Sequence, residues 1–250
     1  QKTMFKRIFG REWILTTILV LLGTALCIRL GIWQLDRLEQ RREFNAHVEA
    51  MWAADPVNLP QDLDLELNEM EYRSVCAAGQ YDFGEQVALR NQYWRDQYGY
   101  HLLTPLVMED GTAVIVDRGW VPAADAETPE NWSGYDQPAE SDLCGIIRVG
   151  QDRPDVGGRP DPTLAPGQEQ LDFWNNVNLI RFEEQMPYPL ASVYIQLDVN
   201  ETDEQPPIPY QPEIELTEGP HLGYAGQWFT FAAILFFGYP FFVRYRERRS

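Results

Sequence analysis

Hydrophobic and polar positions follow three different rhythms along the chain. From Trp13 to Ile28 the sequence WILTTILVLLGTALCI carries no charge, and Leu30 to Trp33 extend it past Arg29. A helix of about 20 residues crosses the hydrocarbon core, so Arg29 falls near the far face, where its long stem can snorkel. The pattern predicts a transmembrane helix over 12–34 that continues amphipathically through Gln34 to Gln40, with helical character as far as Trp52. A secretory signal is the competing reading of a basic start before an apolar core. No A-x-A site follows, and Leu26 precedes Cys27 where a lipoprotein site needs a small residue, which favours an uncleaved anchor. A second uncharged run, YAGQWFTFAAILFFGYPFFV from Tyr224 to Val243, predicts another span over 221–243. Trp228, Tyr239 and Tyr245 stand where an aromatic belt meets the membrane interfaces, and Pro240 falls in the last turn, where a lost hydrogen bond costs little.

Between the spans, residues 35–220 change period. Short segments of high β-propensity are separated by turn residues: 72–81, 86–92, 100–107, 112–117, 143–149 and 192–197. Asp110-Gly111 between two apolar runs is a hairpin signal. Leu179 to Gln185, closed by Pro187 and Pro189, reads as one short helix. Pro122 to Asp142 and Gln151 to Gln170, rich in Pro, Gly and acidic residues, read as solvated excursions. Glu201 to Pro212, with four prolines, reads as an extended return to the membrane. The fold class expected is membrane α+β: two transmembrane helices flanking a mainly antiparallel β domain, for which a small barrel is one architecture.

Charge supplies the topology. The chain has 20 Lys and Arg against 38 Asp and Glu, a formal net charge of -18. Yet the first twelve residues carry Lys2, Lys6, Arg7 and Arg11 against Glu12 alone, and the tail 244–250 carries four arginines against Glu247. By the positive-inside rule both ends face the cytoplasm and the acidic domain lies outside. The simplest compartment is a bacterial cytoplasmic membrane, with the mitochondrial inner membrane as the other. So acidic a domain excludes nucleic acid as a partner, because phosphate binding needs the opposite sign. Of three cysteines, Cys27 lies in the first span; Cys76 and Cys144 are read either as a disulfide or as two small buried thiols, the commoner outcome.

Catalytic signatures are missing. There is no Gly-rich phosphate loop, no G-x-S-x-G and no H-E-x-x-H. Three scattered histidines, His47, His101 and His221, do not make a zinc or copper set. The expectation is a protein that is not an enzyme. The informative segment starts the second span, EGPHLGYAGQWF from Glu218 to Phe229. On a helix His221, Tyr224, Ala225 and Trp228 share one face, and Gly223 and Gly226 allow close approach of a helix or a flat ligand. Two readings stand: interface residues at a helix start, or an axial imidazole for heme iron beside an aromatic pair.

Several motifs in order then resemble a known family. Gly31-x-Trp33-Gln34-Leu35-x-Arg37 closes the first span; Tyr72-Arg73-x-Val75 and Gly79-x-Tyr81-Asp82 follow. Next come Asn91-Gln92, Leu103-Thr104-Pro105-Leu106, Arg118-Gly119-Trp120-Val121-Pro122, Pro187-Tyr188-Pro189 and His221-Leu222-x-Tyr224-Ala225-x-Gln227-Trp228-Phe229. From about residue 31 to 240 the chain resembles the surfeit-locus-one family of cytochrome c oxidase assembly factors. The resemblance implies a helper that inserts heme a into the oxidase catalytic subunit, with heme a synthase and membrane lipid as further partners. It places the proposed heme-ligating histidine on His221 and motif positions on Trp33, Gln34, Arg118 and Trp120, with Arg118 as a candidate partner for a heme propionate. The other reading of Arg118-Gly119-Trp120 is a strand end with a structural tryptophan. Asp117 stands where the family commonly has Asn, and the acidic loops exceed the family core. A scaffold or resident oxidase subunit without its own heme is the alternative role.

Overall fold

A computed structural model describes residues 9–154, 156–168, 170–199, 205–211 and 213–249. Lys2, Lys6 and Arg7, residues 201–204 and Pro212 of the proline-rich segment, and Ser250 lie outside the described residues. The chain divides into two compact units: one from the N-terminal residues to His47 together with Glu215 onward, the other Val48–Ile214.

The first unit is a pair of helices. Helix α1, Ile14–Ala53, is unbroken for 40 residues, and helix α3, His221–Glu247, for 27. Both are long and apolar enough to cross a membrane. At 1.5 Å per residue α1 measures about 60 Å, roughly twice the hydrocarbon thickness, so the span and the amphipathic continuation are one rod. Helix α3 runs past Val243, with Arg244 and Arg246 in its last turn, so the basic tail begins as helix. Large side chains such as Leu15, Leu22, Leu26, Phe237 and Phe241 point outward and stay exposed, which is the arrangement lipid requires.

The seam between the helices has another composition. Buried Thr17, Thr24, Gly31 and Leu38 recur every seven residues on α1, with buried Cys27 between them. Buried Ala225, Ala232 and Val243 line α3. A seven-residue repeat of mostly small residues marks the seam of a helix pair. A Cβ added at Gly31 would lie 2.7 Å from the Phe229 ring, and one at Gly23 would lie 3.5 Å from Leu235. The glycines that admit close approach are therefore on α1. Gly223 and Gly226 meet open space, because at 100° per residue they lie on the side of α3 away from His221.

The second unit is a mixed sheet of eight strands: β1 (Val57–Leu59), β2 (Ser74–Tyr81), β3 (Val87–Trp94), β4 (Gln97–Val107), β5 (Ala113–Pro122), β6 (Glu140–Val149), β7 (Phe173–Trp174) and β8 (Leu190–Leu197). Their order is β1-β2-β6-β8-β5-β4-β3-β7, and a further pairing of Gln80 with Val107 and Tyr81 with Leu106 joins β2 to β4. Strands β2, β6, β8, β5 and β4 thereby form a closed five-stranded barrel, so the expected α+β class with a small barrel is observed. Most ladders are antiparallel; β5 and β8 run parallel.

Alternation along these strands sends Val75, Ala77, Leu106, Val114, Val116, Ile147, Val193 and Ile195 inward to one apolar core. Outside the barrel, β3, β4 and β5 meet helix α2 (Leu179–Gln185), where Val87, Leu103, Ile115 and Trp174 surround a fully buried Phe182. Strand β5 is thus covered on both faces, which is why Ala113 to Val121 is a continuous buried run rather than an alternating one. Asn178 caps α2, its side chain accepting from the Arg181 amide.

The Trp94-Arg95-Asp96-Gln97 connection is a tight hairpin with Arg95 and Asp96 at positive φ, and it lacks the glycine that would mark it. Two sequence expectations need correction here. Pro122 to Asp142 is not a solvated excursion: it holds two short 3-10 turns, and Trp132 is 3% exposed with its indole N–H donated to the Ala126 carbonyl. Cys76 and Cys144 are not buried thiols; they are bonded across β2 and β6, and Cys144 is exposed. Within the proline-rich segment, Ile208 forms a bridge with Trp120.

Candidate functional site

The first unit brings two sequence-predicted residues into direct contact. His221 Nδ1 lies 2.8 Å from Gln34 Oε1, joining residues 187 apart in the chain. The Gln34 carbonyl only accepts, so Nδ1 carries the proton and Nε2 keeps its lone pair in the neutral ring. On the Nε2 edge stands Gly219, in the left-handed region at φ 66. A Cβ there would come within 3.6 Å of Nε2, an ordinary contact, so it is the turn that calls for glycine.

Around this pair, Ala225 is buried against α1, Trp228 is half-buried and edge-on to Phe231 at 6.0 Å, and Tyr224 is 47% exposed on the flank. Trp33, next to Gln34, is 41% exposed and lies under the Arg37 guanidinium at 5.7 Å. Imidazole, amide and three aromatic rings therefore belong to one helix pair, with the ring at the first residue of α3, where unpaired N–H groups favour negative charge.

The approach to His221 is held by two adjacent cations. Arg41 donates to the carbonyls of Glu215 and, at 2.9 Å, of Thr217. Arg42 makes a two-pronged pair with Glu218 at 2.7 and 3.1 Å, and its hydrogen bond holds the Glu218 carboxyl below the usual carboxylate range. Two adjacent arginines shortly beyond the Trp33-Gln34 motif are the available signal; partners 174 to 176 residues away are not visible in it.

Arg118 and Trp120 lie in the other unit and are both buried. The Arg118 guanidinium donates to Gln86 Oε1 at 2.7 Å and to the Tyr135 carbonyl, and it sits over the rings of Tyr81 and Phe83. Burial lowers its pKa. Its Nε has no hydrogen-bond partner, and no ion pair joins it to a carboxylate among the described residues. Gly119 between them adopts φ 113, and a Cβ there would strike the Ile208 carbonyl. Trp120 packs on Trp94 with ring centroids 5.6 Å apart. Asp117 accepts from His101 at 2.9 Å and from the Gly119 amide at 3.0 Å, which gives a carboxylate at that position its own buried use. The motif reads as a tightly specified bend that ties the strand end to the proline-rich segment.

The SURF1 family model matches residues 21–233, from inside α1 to inside α3. The chain belongs to the SURF1 family. Surfeit locus protein 1 of Mus musculus is 26% identical over 243 residues, covering 90% of this chain and 75% of the mouse protein. The human Surfeit locus protein 1 is 26% identical over 240 residues, covering 89% and 74%. An uncharacterised SURF1-like protein of Mycobacterium tuberculosis is 27% identical over 250 residues, covering 95% and 85%. The SURF1 match takes in the whole barrel and part of each long helix, so the His221–Gln34 pair and the Arg118 bend both lie within the shared region.

Proposed function

We propose that this SURF1-family chain is a non-enzymatic assembly factor for heme-copper cytochrome c oxidase, holding heme a during its insertion into the catalytic subunit. The observation that carries the reading is the Nδ1–Gln34 hydrogen bond, which orients the His221 ring with Nε2 turned away from Gln34. A ligating histidine characteristically donates its other nitrogen to such a partner. His221 would hold the iron from one side, Gln34 would fix the ring, and Trp228, Tyr224 and Trp33 would offer apolar faces. The start of α3 is a partly positive end toward which propionates would be drawn. Arg118 and Trp120 are left out of this site, because both are buried in the other unit. The partners are the oxidase catalytic subunit, heme a synthase as donor, and membrane lipid. The compartment is the bacterial cytoplasmic membrane, with both termini cytoplasmic and the barrel outside. The exposed disulfide supports that side, being oxidised where thiols are not kept reduced.

The same hydrogen bond supports a second reading, a scaffold without heme, in which His221 and Gln34 simply clamp two helices in lipid. One experiment separates them. The chain is co-expressed with a heme a synthase, purified in mild detergent, and its absorption spectrum compared with His221→Ala and Gln34→Ala variants. The carrier reading expects heme a in the native chain, its loss in His221→Ala, and retention about 10–100-fold weaker in Gln34→Ala. A native chain without heme, with oxidase assembly unharmed by His221→Ala, gives the scaffold reading its place.

A further inference from the structure

The disulfide has properties that its role as a staple does not use. Cys76 and Cys144 sit directly opposite each other within a ladder that runs from Ser74–Ile146 to Gln80–Glu140. Their neighbours Val75, Ala77, Leu143 and Gly145 are buried, so by alternation both cysteines point out of the barrel. Cys144 is exposed and Cys76 half-buried; their outward neighbours are the small Ser74 and Ala78 on β2 and Asp142 and Ile146 on β6. Because β2 and β6 stay paired on both sides, opening the bond leaves the two thiols facing each other, ready to close again. That arrangement makes exchange reversible.

Each cysteine also lines a surface hollow. Cys76 borders one of 940 Å³ with Glu109, Glu140 and Asp142, and Cys144 borders one of 600 Å³ with Asp136 and Asp198. Among the described residues no lysine or arginine lines either. The five carboxylates that line the two hollows repel anionic thiols and draw in cationic ones.

We propose that Cys76–Cys144 is a thiol–disulfide exchange site, opened and re-formed by a dithiol protein that presents a basic surface around its attacking cysteine. The partner thiolate attacks the exposed Cys144 sulfur; the S–S bond breaks, and its electron pair leaves on Cys76, which takes a proton. The partner's second thiolate then attacks the mixed disulfide and releases Cys144, which is protonated in turn. Two electrons have passed to this chain, and the partner has become a disulfide; the reverse sequence restores the starting state. This proposal does not depend on the heme reading.

The test uses the full chain in mild detergent and two small thiols at equal thiolate concentration, cationic cysteamine and anionic 2-mercaptoethanesulfonate. Free thiols are trapped by alkylation and assigned by peptide mass, which separates the pair from Cys27. Both cysteines should become reducible without change in the far-UV circular dichroism. Cysteamine should react about tenfold faster or more at low salt, with the ratio contracting as salt screens the carboxylates. A Glu140→Gln/Asp142→Asn variant should lower the ratio while leaving the spectrum unchanged. Opening only on unfolding would show a purely structural bond, and equal rates for the two thiols at low salt would remove the basic partner; either result overturns the proposal.

Discussion

The two units solve opposite problems with one chain. The helix pair exposes its large apolar residues and keeps hydroxyls, small residues, an amide and an imidazole for the seam. The barrel hides its apolar residues and turns carboxylates outward. In lipid, apolar burial does not drive helices together, so close packing and hydrogen bonds between helices must do so. Thr17 and Tyr239 share such a bond at 2.7 Å, and Gln34 and His221 another at 2.8 Å. In water the hydrophobic core dominates, and position along a strand decides which side is buried. The lesson is that a polar residue carries different information in each unit. At the helix seam it is a contact; on the barrel it is ordinary unless buried, as with Arg118 and the His101–Asp117 pair.

The sharpest way to break this contrast is at the Arg118-Gly119-Trp120 bend. Gly119→Ala combines a positive φ with a clash against a backbone carbonyl, and flexible side chains cannot relieve it. It should destabilise the barrel unit by at least about 3 kcal/mol, read as a large drop in its thermal midpoint. Gly134→Ala, where an added Cβ meets nothing within 4 Å, should stay within about 0.5 kcal/mol.

Next in size is the disulfide. The two cysteines are 68 residues apart, and closing a loop of that length removes unfolded-state entropy worth up to about 4 kcal/mol. The Cys76→Ser/Cys144→Ser chain should still fold, with a thermal midpoint about 10 °C lower by calorimetry. A midpoint that does not move would mean that the barrel closure alone sets the unfolding of this unit.

A smaller effect belongs to the helix seam. Tyr239→Phe removes the hydroxyl bonded to Thr17 and should weaken the helix pair by about 0.6–2 kcal/mol in mixed-micelle unfolding, without moving the barrel transition. If both transitions shift together, the two units do not melt independently.

The smallest effect is electrostatic. Glu218 is exposed, and its carboxyl is held low by Arg42. A depressed carboxyl stabilises above its unfolded range, and that contribution is lost as pH falls through the folded value. Hydrogen exchange over residues 215–219 should therefore rise, once corrected for its intrinsic pH dependence, as the solution is acidified through the carboxylate range. The Glu218→Gln variant should show the raised exchange already at neutral pH.

Much of this architecture is legible in the chain's local patterns. The spans are visible because uncharged runs of membrane length have few other uses. Strands at 74–81, 100–107 and 190–197, and helix α2 at 179–185, follow from local period and flanking prolines. The 57–59 and 173–174 strands escape such a reading because two or three residues show no period. The Trp132 segment misleads because one buried tryptophan anchors a polar stretch, and composition averages that away. His221 is visible as the single histidine of the second span, and Gln34 as a motif residue.

By itself the sequence determined the two spans, the acidic domain between them and the identity of the ring at the head of α3. Those depend on solvent transfer and local propensity, which act within a few neighbouring residues. Only the tertiary structure decided which residues meet. It joined Gln34 to His221 across 187 positions, closed β2 on β4, bonded Cys76 to Cys144, and enclosed Arg118. Such pairings are chosen by packing the whole chain at once, and no local pattern carries their energy.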